Sequence, residues 1–587
     1  MNFKLINEPD SKYDALSQVL HNRGIADEDM LHYINPTEND VASPLLLGEN
    51  KLAKAVSLVE YAIHSNKDVL IIVDSDCDGF TSAALLSNYL YDINPEWVDT
   101  HLHHFLHSGK EHGLNDLVID DFVANLNLII LPDAGSNDIE YHKVLDNLDV
   151  ACICLDHHNY DENVETPAII INSQCSTYPN KELSGVGVTW QFCKYYDSVA
   201  NLNYADDYLD LVALGDAADM MSLTSIETKY LVTKGFRNVK NPFIDYLAEK
   251  NDYSIQKKGG LNYDSAGWYI APFVNAIVRS GTMEEKQNVF NSMLKYKAFE
   301  EVLSNKRGHK PGEMEKLVVQ VMRTTTNVKN RQQKAVDAGM ALLEKRIEAN
   351  NMLDHKVLLF ILEGNEIEAT IRGLSANKLM GKYQRPVCVL SRTIQDEEVV
   401  YQGSARGCEV AGIENFMAIC EKTGLPTYCV GHNNAFGLGL REDDIDKFLT
   451  QTDELLKNIS GEPTYYCDYV FSNRAVDGDK IIDIATHPEL WGKDMNEPII
   501  GIKGLQITKE MLTLMAKNTL KIQVTPNVSL IKFSVSDEEF QQLYSENGSV
   551  EINVVGTCNA NEWMGNVSAQ LMITDLEVID KIKWVFY

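Results

Sequence analysis

The stretch at residues 69–86, VLIIVDSDCDGFTSAALL, constrains the fold more than any other part of the chain. Residues 69–73 are a short continuous apolar run, the pattern of a strand buried on both faces. Asp74, Asp76 and Asp78 follow at once, Gly79 permits a tight turn, and residues 81–90 read as a helix. The carboxylates therefore stand at the carboxyl end of a strand, where open α/β sheets bind their ligands. Alternation could aim Asp74 and Asp76 into one site. Three carboxylates this close repel one another unless cations neutralise them. Taken alone, the fragment equally suits an Asp-rich loop capping a helix.

The pattern recurs. LNLIIL at 126–131 is a second apolar strand, followed by Pro132, Asp133, Ala134 and Gly135. VACICL at 150–155 is a third, ending in Asp156, His157 and His158. A fourth apolar segment, 211–214, leads into Gly215, Asp216, Ala217, Ala218 and Asp219. Solvated loops do not repeat so regularly. Hard carboxylate oxygens with one or two imidazoles suit Mn²⁺ or Mg²⁺ better than a structural zinc. Two such ions can clamp the attacking and leaving oxygens of a phosphate ester.

DSDCDG, PDAG, DHH and ALGDAAD together resemble the four motifs of the DHH phosphoesterases, and more closely those of the RecJ branch, the single-strand-specific 5′ exonucleases. The resemblance covers most of the chain. It implies an α/β fold: a DHH domain with a parallel sheet, a long helical connector, a second α/β DHH-associated domain and a C-terminal OB-like β-barrel. It implies Asp74, Asp76, Asp133, His157 and Asp219 as metal ligands, with Asp216 sharing the role of Asp219, and two Mn²⁺ or Mg²⁺ ions as cofactor. Asp76, Asp133, His157 and His158 become the catalytic set, with His158 against the scissile phosphate.

The net charge of −33, from 52 Lys and Arg against 85 Asp and Glu, argues against nucleic-acid binding by the whole surface but leaves room for a local basic groove. No run of about 18 apolar residues indicates a membrane span. The N-terminus lacks a basic segment followed by an apolar core, so a secretory signal is not expected. Eleven scattered cysteines with no CxxC pair suit a reducing cytoplasm.

At 587 residues the chain should hold roughly three to four domains. Residues 1–47 read as short helices, and 51–64 as an amphipathic helix leading into the first strand, within a DHH domain at 48–283. THLHHFLHSGKEHGL, at 100–114, carries five histidines. His101 and His103 alternate as on a strand, giving a strand and loop beside the active site or, alternatively, a third metal site. SGVGVT at 184–189 is a glycine-rich turn entering a helix, suited to holding an anion or to close helix–sheet packing. VNAIVR at 274–279 approaches the family's NAxGR pattern, which implies Asn275 and Arg279 as substrate contacts, although Val278 replaces a glycine.

The connector, 284–350, reads as helical with a break at Pro311 and Gly312. Residues 303–346 carry ten Lys or Arg and four Asp or Glu, which makes Arg323, Lys329 and Arg331 candidates for backbone phosphate, against the alternative of a solvated helical face. GSARG at 403–407 and GHNNAFGLGL at 431–440 resemble motifs of the DHH-associated domain, expected at 351–460. They put Ser404, Arg406 and His432 near a phosphate, while Glu368 stands where the family often has His. From 461 to 587 the pattern is β, with strands at 521–524, 529–533, 550–555 and 568–573, and resembles the RecJ OB domain. Trp563 is its candidate for base stacking, or a core residue. Residues 465–505 yield no reading.

The expected activity is a metal-dependent 5′ to 3′ exonuclease on single-stranded DNA, serving recombination, repair or replication. A single-strand-binding protein or a helicase is a further candidate partner. The alternatives are a DHH phosphodiesterase for short RNA or cyclic dinucleotides, and a catalytically inactive replication scaffold. The long connector and the OB-like region disfavour the first; the presence of all four acidic motifs disfavours the second.

Overall fold

The computed structural model describes residues 1–109, 111–116, 126–395, 398–458, 464–563 and 565–583. The chain forms two compact units: Glu28–Asn330 with His487–Asn496, and Met1–Asp27 with Arg331–Thr486 and Glu497–Tyr587. In sequence the first unit is therefore an insertion within the second.

The unit beginning at Glu28 is built on five parallel strands. These are β1 (Asp68–Val73), β2 (Leu102–Leu106), β3 (Leu126–Pro132), β4 (Ala151–Asp156) and β5 (Ile169–Asn172), in the order β2-β1-β3-β4-β5. Every residue of β1 after Asp68 is buried, which is why it reads as an unbroken apolar run. The helices that position the site are α1 (Glu49–His64), α2 (Cys77–Ile93), α3 (Ile139–Asn147), α4 (Gly185–Ala200) and α5 (Leu209–Ala218). Asp76 caps α2, its side chain accepting from Gly79 N, and Ser184 caps α4 by accepting from Gly187 N.

The fourth apolar segment is thus helical. α5 is buried from Leu209 through Ala217, and a helix apolar all round shows no 3.6-residue period to distinguish it from a buried strand. The N-terminal segment also departs from the helical expectation. Ala15–Asn22 and Met30–Ile34 are helices, but Asn2–Leu5 is a strand, paired in parallel with Thr464–Cys467. The break in the connector is a β-hairpin, Glu301–Leu303 against Met314–Lys316, with Gly312 at φ +79°. One helix, α6 (Leu317–Ala349), follows it.

The second unit contains two larger sheets. One has five strands: Leu358–Leu362 and Val387–Gln395 are parallel, and Glu398–Arg406, Ala435–Arg441 and Tyr428–His432 continue it antiparallel. The other has seven, and its longest pair, Gly548–Trp563 with Asn566–Lys583, is antiparallel. The unread stretch holds the short strands Thr464–Cys467 and Tyr469–Ser472, the helix Gly478–Ala485 and the start of the strand Ile499–Ile507.

Candidate metal centre

Carboxylates and imidazoles gather at the carboxyl end of the parallel sheet. Asp74 and Asp76 follow β1; Asp78 lies in the first turn of α2; Asp133 follows β3; His157 and His158 follow β4; Asp219 closes α5. His157 Nε2 lies 3.3 Å from Asp133 Oδ1, 3.4 Å from Asp219 Oδ2 and 3.9 Å from Asp78 Oδ2. Three sets of ligand atoms each fall within 4.8 Å of one another: Asp78, His157 and Asp219; Asp133, His157 and His158; Asp74, Asp76 and Asp133. Because Asp133 and His157 each belong to two sets, the three form one continuous centre.

Asp133 is the most constrained member. It sits at φ +71°, a backbone conformation unusual outside Gly, Asn and Asp, with its N–H donating to Leu155 O at 2.7 Å. Both carboxylate oxygens are buried and accept no hydrogen bond. Burial, and then the charges of Asp78, Asp76, Asp74 and Asp219, push its carboxyl well above the usual range. Asp78 and Asp219 are raised to about 7, first by burial and then by neighbouring carboxylates. Asp78 is nevertheless anchored, because Gly185 N and Val186 N, at the N-terminus of α4, donate to it at 2.7 and 3.1 Å. This is a cluster of hard oxygen donors plus imidazole with unspent acceptor capacity and mutual repulsion. A pair of divalent cations fits such a donor set.

Two glycines make the cluster possible. A Cβ on Gly185 would lie 2.3 Å from Asp133 Oδ1, and one on Gly79 would lie 2.5 Å from Asp74 Cβ. The glycine-rich SGVGVT turn thus holds Asp78 and makes room for Asp133. Asp78 and Gly185 stand in the motifs DSDCDG and SGVGVT, but Asp78 was not expected among the ligands nor Gly185 beside Asp133. The Asp78 signal was present in the third Asp of DSDCDG, but Cys77 already begins α2, so strand alternation does not extend to it.

The two histidines after β4 differ. Burial lowers His157 and keeps it neutral, as a metal ligand must be. His158 is raised to about 9, chiefly by its hydrogen bond to Asp156 (Nδ1 to Oδ1, 2.8 Å), and its side chain is 57 % exposed. Asp156 also accepts from the N–H groups of Ser136, His157 and His158. Burial opposes its ionisation, but the hydrogen bond and charge of His158, with the others, hold it at about 2. Asp156 is therefore an orienting anion and His158 an exposed cation at the rim.

Asp74 accepts from His112 Nδ1 at 2.6 Å and Gly113 N at 3.1 Å. The loop that brings His112 there is held by Lys286, whose buried ammonium donates to the carbonyls of His107, Ser108 and Gly109 at 3.0, 2.7 and 3.3 Å. His101 and His103 face Asp68, at the opposite end of β1 from Asp74. Asp216 is buried and accepts from Ser184 Oγ at 2.7 Å, outside the three ligand sets. Asn275 and Arg279 lie on the helix Ala271–Ser280. Burial lowers the half-buried Arg279 guanidinium from its ordinary value, and Asp76 partly offsets this.

Two connector cations are engaged within their own unit. Arg323 pairs with Glu315, and Lys329 Nζ lies 4.0 Å from the centre of the Phe273 ring. Arg331 is exposed on α6. In the other unit, Arg406 and His432 both register with Ala435, from the strands on either side of it. A Cβ on Gly373 would meet Arg406 Nη2 at 2.6 Å and Ser404 Oγ at 3.4 Å, so this glycine leaves space beside both. Glu368 is the N-cap position of the helix Ala369–Tyr383. The Trp563 side chain lies outside the described residues.

Residues 68–215 match the family model described as DHH family, N-terminal domain, and 467–575 match the RecJ OB domain. The SPbeta prophage-derived protein YorK of Bacillus subtilis (strain 168), named as a candidate single-strand DNA-specific exonuclease, is 31% identical over 584 residues, covering 99% of this chain and 98% of its own. The chain belongs to the RecJ-like DHH family. A further member, the RecJ single-stranded-DNA-specific exonuclease of Bacillus subtilis, is 24% identical over 535 residues, 90% of this chain and 63% of its own. The fold is shared with Thermus thermophilus RecJ, solved in complex with Mn²⁺, at a TM-score of 0.71 and 17% identity over 99% of this chain and 80% of that one. The DHH match falls within the unit that carries the acidic centre, and the RecJ OB match spans most of the seven-stranded sheet.

Proposed function

We propose that this RecJ-like protein is a metal-dependent exonuclease that hydrolyses single-stranded DNA from its 5′ end. The observation that carries the reading is Asp133, a buried carboxylate with two unpartnered oxygens among Asp78, His157 and Asp219. Asp76, Asp78, Asp133, His157 and Asp219 would hold two Mn²⁺ or Mg²⁺ ions, with Asp74 at the edge of the centre and tied to His112. Ions bound there polarise a phosphoryl oxygen and supply an activated water at neutral pH.

The protein's own groups do the rest. His158, kept cationic by Asp156, faces solvent where it can bind a non-bridging phosphate oxygen and offset charge that develops on it. Arg279 adds a second positive charge near Asp76. Asn275 shares its helix, and Ser404, Arg406 and His432 form a second set of phosphate contacts on the other unit. Arg323, Lys329 and Arg331 bind the backbone further along and make affinity salt-dependent. The choice of DNA and the single-strand requirement are supported by likeness to the RecJ exonucleases, and the 5′ polarity by the resemblance of the four motifs to the RecJ branch. A cytoplasmic role in recombination, repair or replication goes with that likeness.

The test is release of mononucleotides from 5′- and 3′-labelled single strands and from a blunt duplex, with Mn²⁺ and with EDTA. Label should leave first from the 5′ end of the single strand and only with metal. Release from the 3′ end, or equal attack on the duplex, would overturn the reading.

A further inference from the structure

A second cluster of ligand-type side chains lies behind the acidic centre and has no part in the hydrolysis. Cys152 and Cys154 are two residues apart on β4 and so point to the same face. His142 of α3 covers them, with its Nε2 3.7 Å from Cys154 Sγ. All three ligand atoms fall within 4.8 Å of one another, and the three residues are 1%, 5% and 0% exposed for His142, Cys152 and Cys154. The rest of that core is mostly aliphatic, with Leu131, Leu145, Val150 and Ile170 among its members. Buried thiols by themselves pack as small hydrophobes, so it is the fully buried imidazole placed within 4.8 Å of two of them that marks the place.

The imidazole is oriented for a ligand role. His142 Nδ1 is 2.8 Å from Thr166 Oγ1, and with the proton on that nitrogen, Nε2 offers its lone pair toward the sulfurs. The spacing also suits an ion. With metal–sulfur and metal–nitrogen bonds of about 2.3 and 2.0 Å, tetrahedral or trigonal angles separate S and N by about 3.5 to 3.7 Å. The observed 3.7 Å lies in that range.

We propose that Cys152, Cys154 and His142 bind one thiophilic d¹⁰ cation of the Zn²⁺ class. Binding releases the two thiol protons and leaves two thiolates and a neutral imidazole on the ion. Softness then sorts the metals: Mn²⁺ or Mg²⁺ goes to the carboxylates and the thiophilic ion to the sulfurs. A Cβ on Gly135 would lie 3.0 Å from Cys154 Sγ, so the site backs directly onto the turn that carries Asp133. The ion ties α3 to β4 underneath that turn.

The test uses the full chain saturated with Mn²⁺, so that the carboxylate centre is filled, and then titrated with Cd²⁺. A thiolate-to-cadmium ultraviolet band should rise to one equivalent, be displaced by Zn²⁺, and disappear in Cys152→Ser and Cys154→Ser. His142→Gln keeps both sulfurs and should weaken Zn²⁺ at least tenfold in competition with a chromophoric chelator. The wild-type titration and His142→Gln decide the matter even where a Cys variant does not fold. No band at one equivalent, a band unchanged in a folded Cys variant, or unchanged affinity in His142→Gln would overturn the proposal. None of these readouts depends on nuclease activity, so they stand apart from the test of the proposed function.

Discussion

Replacing Asp133 with Asn separates metal binding from folding. Asn has nearly the volume of Asp and tolerates the φ of +71° found here, so backbone strain should not change. Without metal, burial and the surrounding carboxylates push Asp133 well above the usual range, which disfavours its charged form, and Asn removes that charge. In EDTA the variant should therefore melt at or slightly above the parent temperature. With metal the comparison inverts. An ion present at a hundred times its dissociation constant stabilises by about 2.7 kcal/mol. For a unit of roughly 300 residues, that is a rise of about 4 °C in melting temperature. Asp133 belongs to two of the three ligand sets, so Asn should remove most of this rise and lower turnover by a factor on the order of 10³. Thermal melts in EDTA and in Mn²⁺, with turnover on single-stranded DNA, give both answers. A large drop in the EDTA melt would mean that Asp133 acts structurally, and an undiminished Mn²⁺ shift would refute the assignment of the centre.

Asp219→Asn should cost far more Mn²⁺ affinity and turnover than Asp216→Asn, because only Asp219 reaches His157; metal titration of the two variants should reveal the order. Gly185→Ala drives a methyl group against Asp133 and should reduce turnover at least a hundredfold with secondary structure retained, as read by circular dichroism alongside the nuclease assay. Mn²⁺ should bind more tightly as pH rises from about 5 to 8, since Asp78 and Asp219 sit near 7 and must lose their protons; calorimetry across that range should show proton release with binding. These raised carboxyls also fix the sign for the metal-free protein: the folded state holds more protons than the unfolded one, so stability in EDTA should fall between about pH 4 and 7 and then level off. Lys286→Met frees the carbonyls of residues 107–109 and should raise KM more than it lowers kcat, because it loosens the loop holding His112 while leaving the ligand sets intact.

The parallel sheet was legible because β1, β3 and β4 are buried on both faces and so are written as unbroken apolar runs ending in acids. Asp133 and His157 could be found from those strand ends alone. Asp78 could not, since the chain changes from strand to helix at Cys77 and the two-residue period stops there. The helical nature of α5 was hidden for a related reason, its burial on every side. The role of Gly185 depends on a close approach between segments some fifty residues apart, which no local pattern encodes. The strand Asn2–Leu5 was missed because four residues carry too short a period, and its partner lies beyond residue 460.

That last pairing bears on how the protein is made. The strand Asn2–Leu5 leaves the ribosome well before its partner Thr464–Cys467, which follows some 460 residues later. At roughly 5–20 residues per second, the wait is on the order of tens of seconds. Glu28–Asn330 can collapse on its own sheet in that interval, whereas the strand Asn2–Leu5 must stay unpaired. Synthesis of this protein therefore includes a period in which a bare strand edge is exposed, and shielding of that edge should limit its yield.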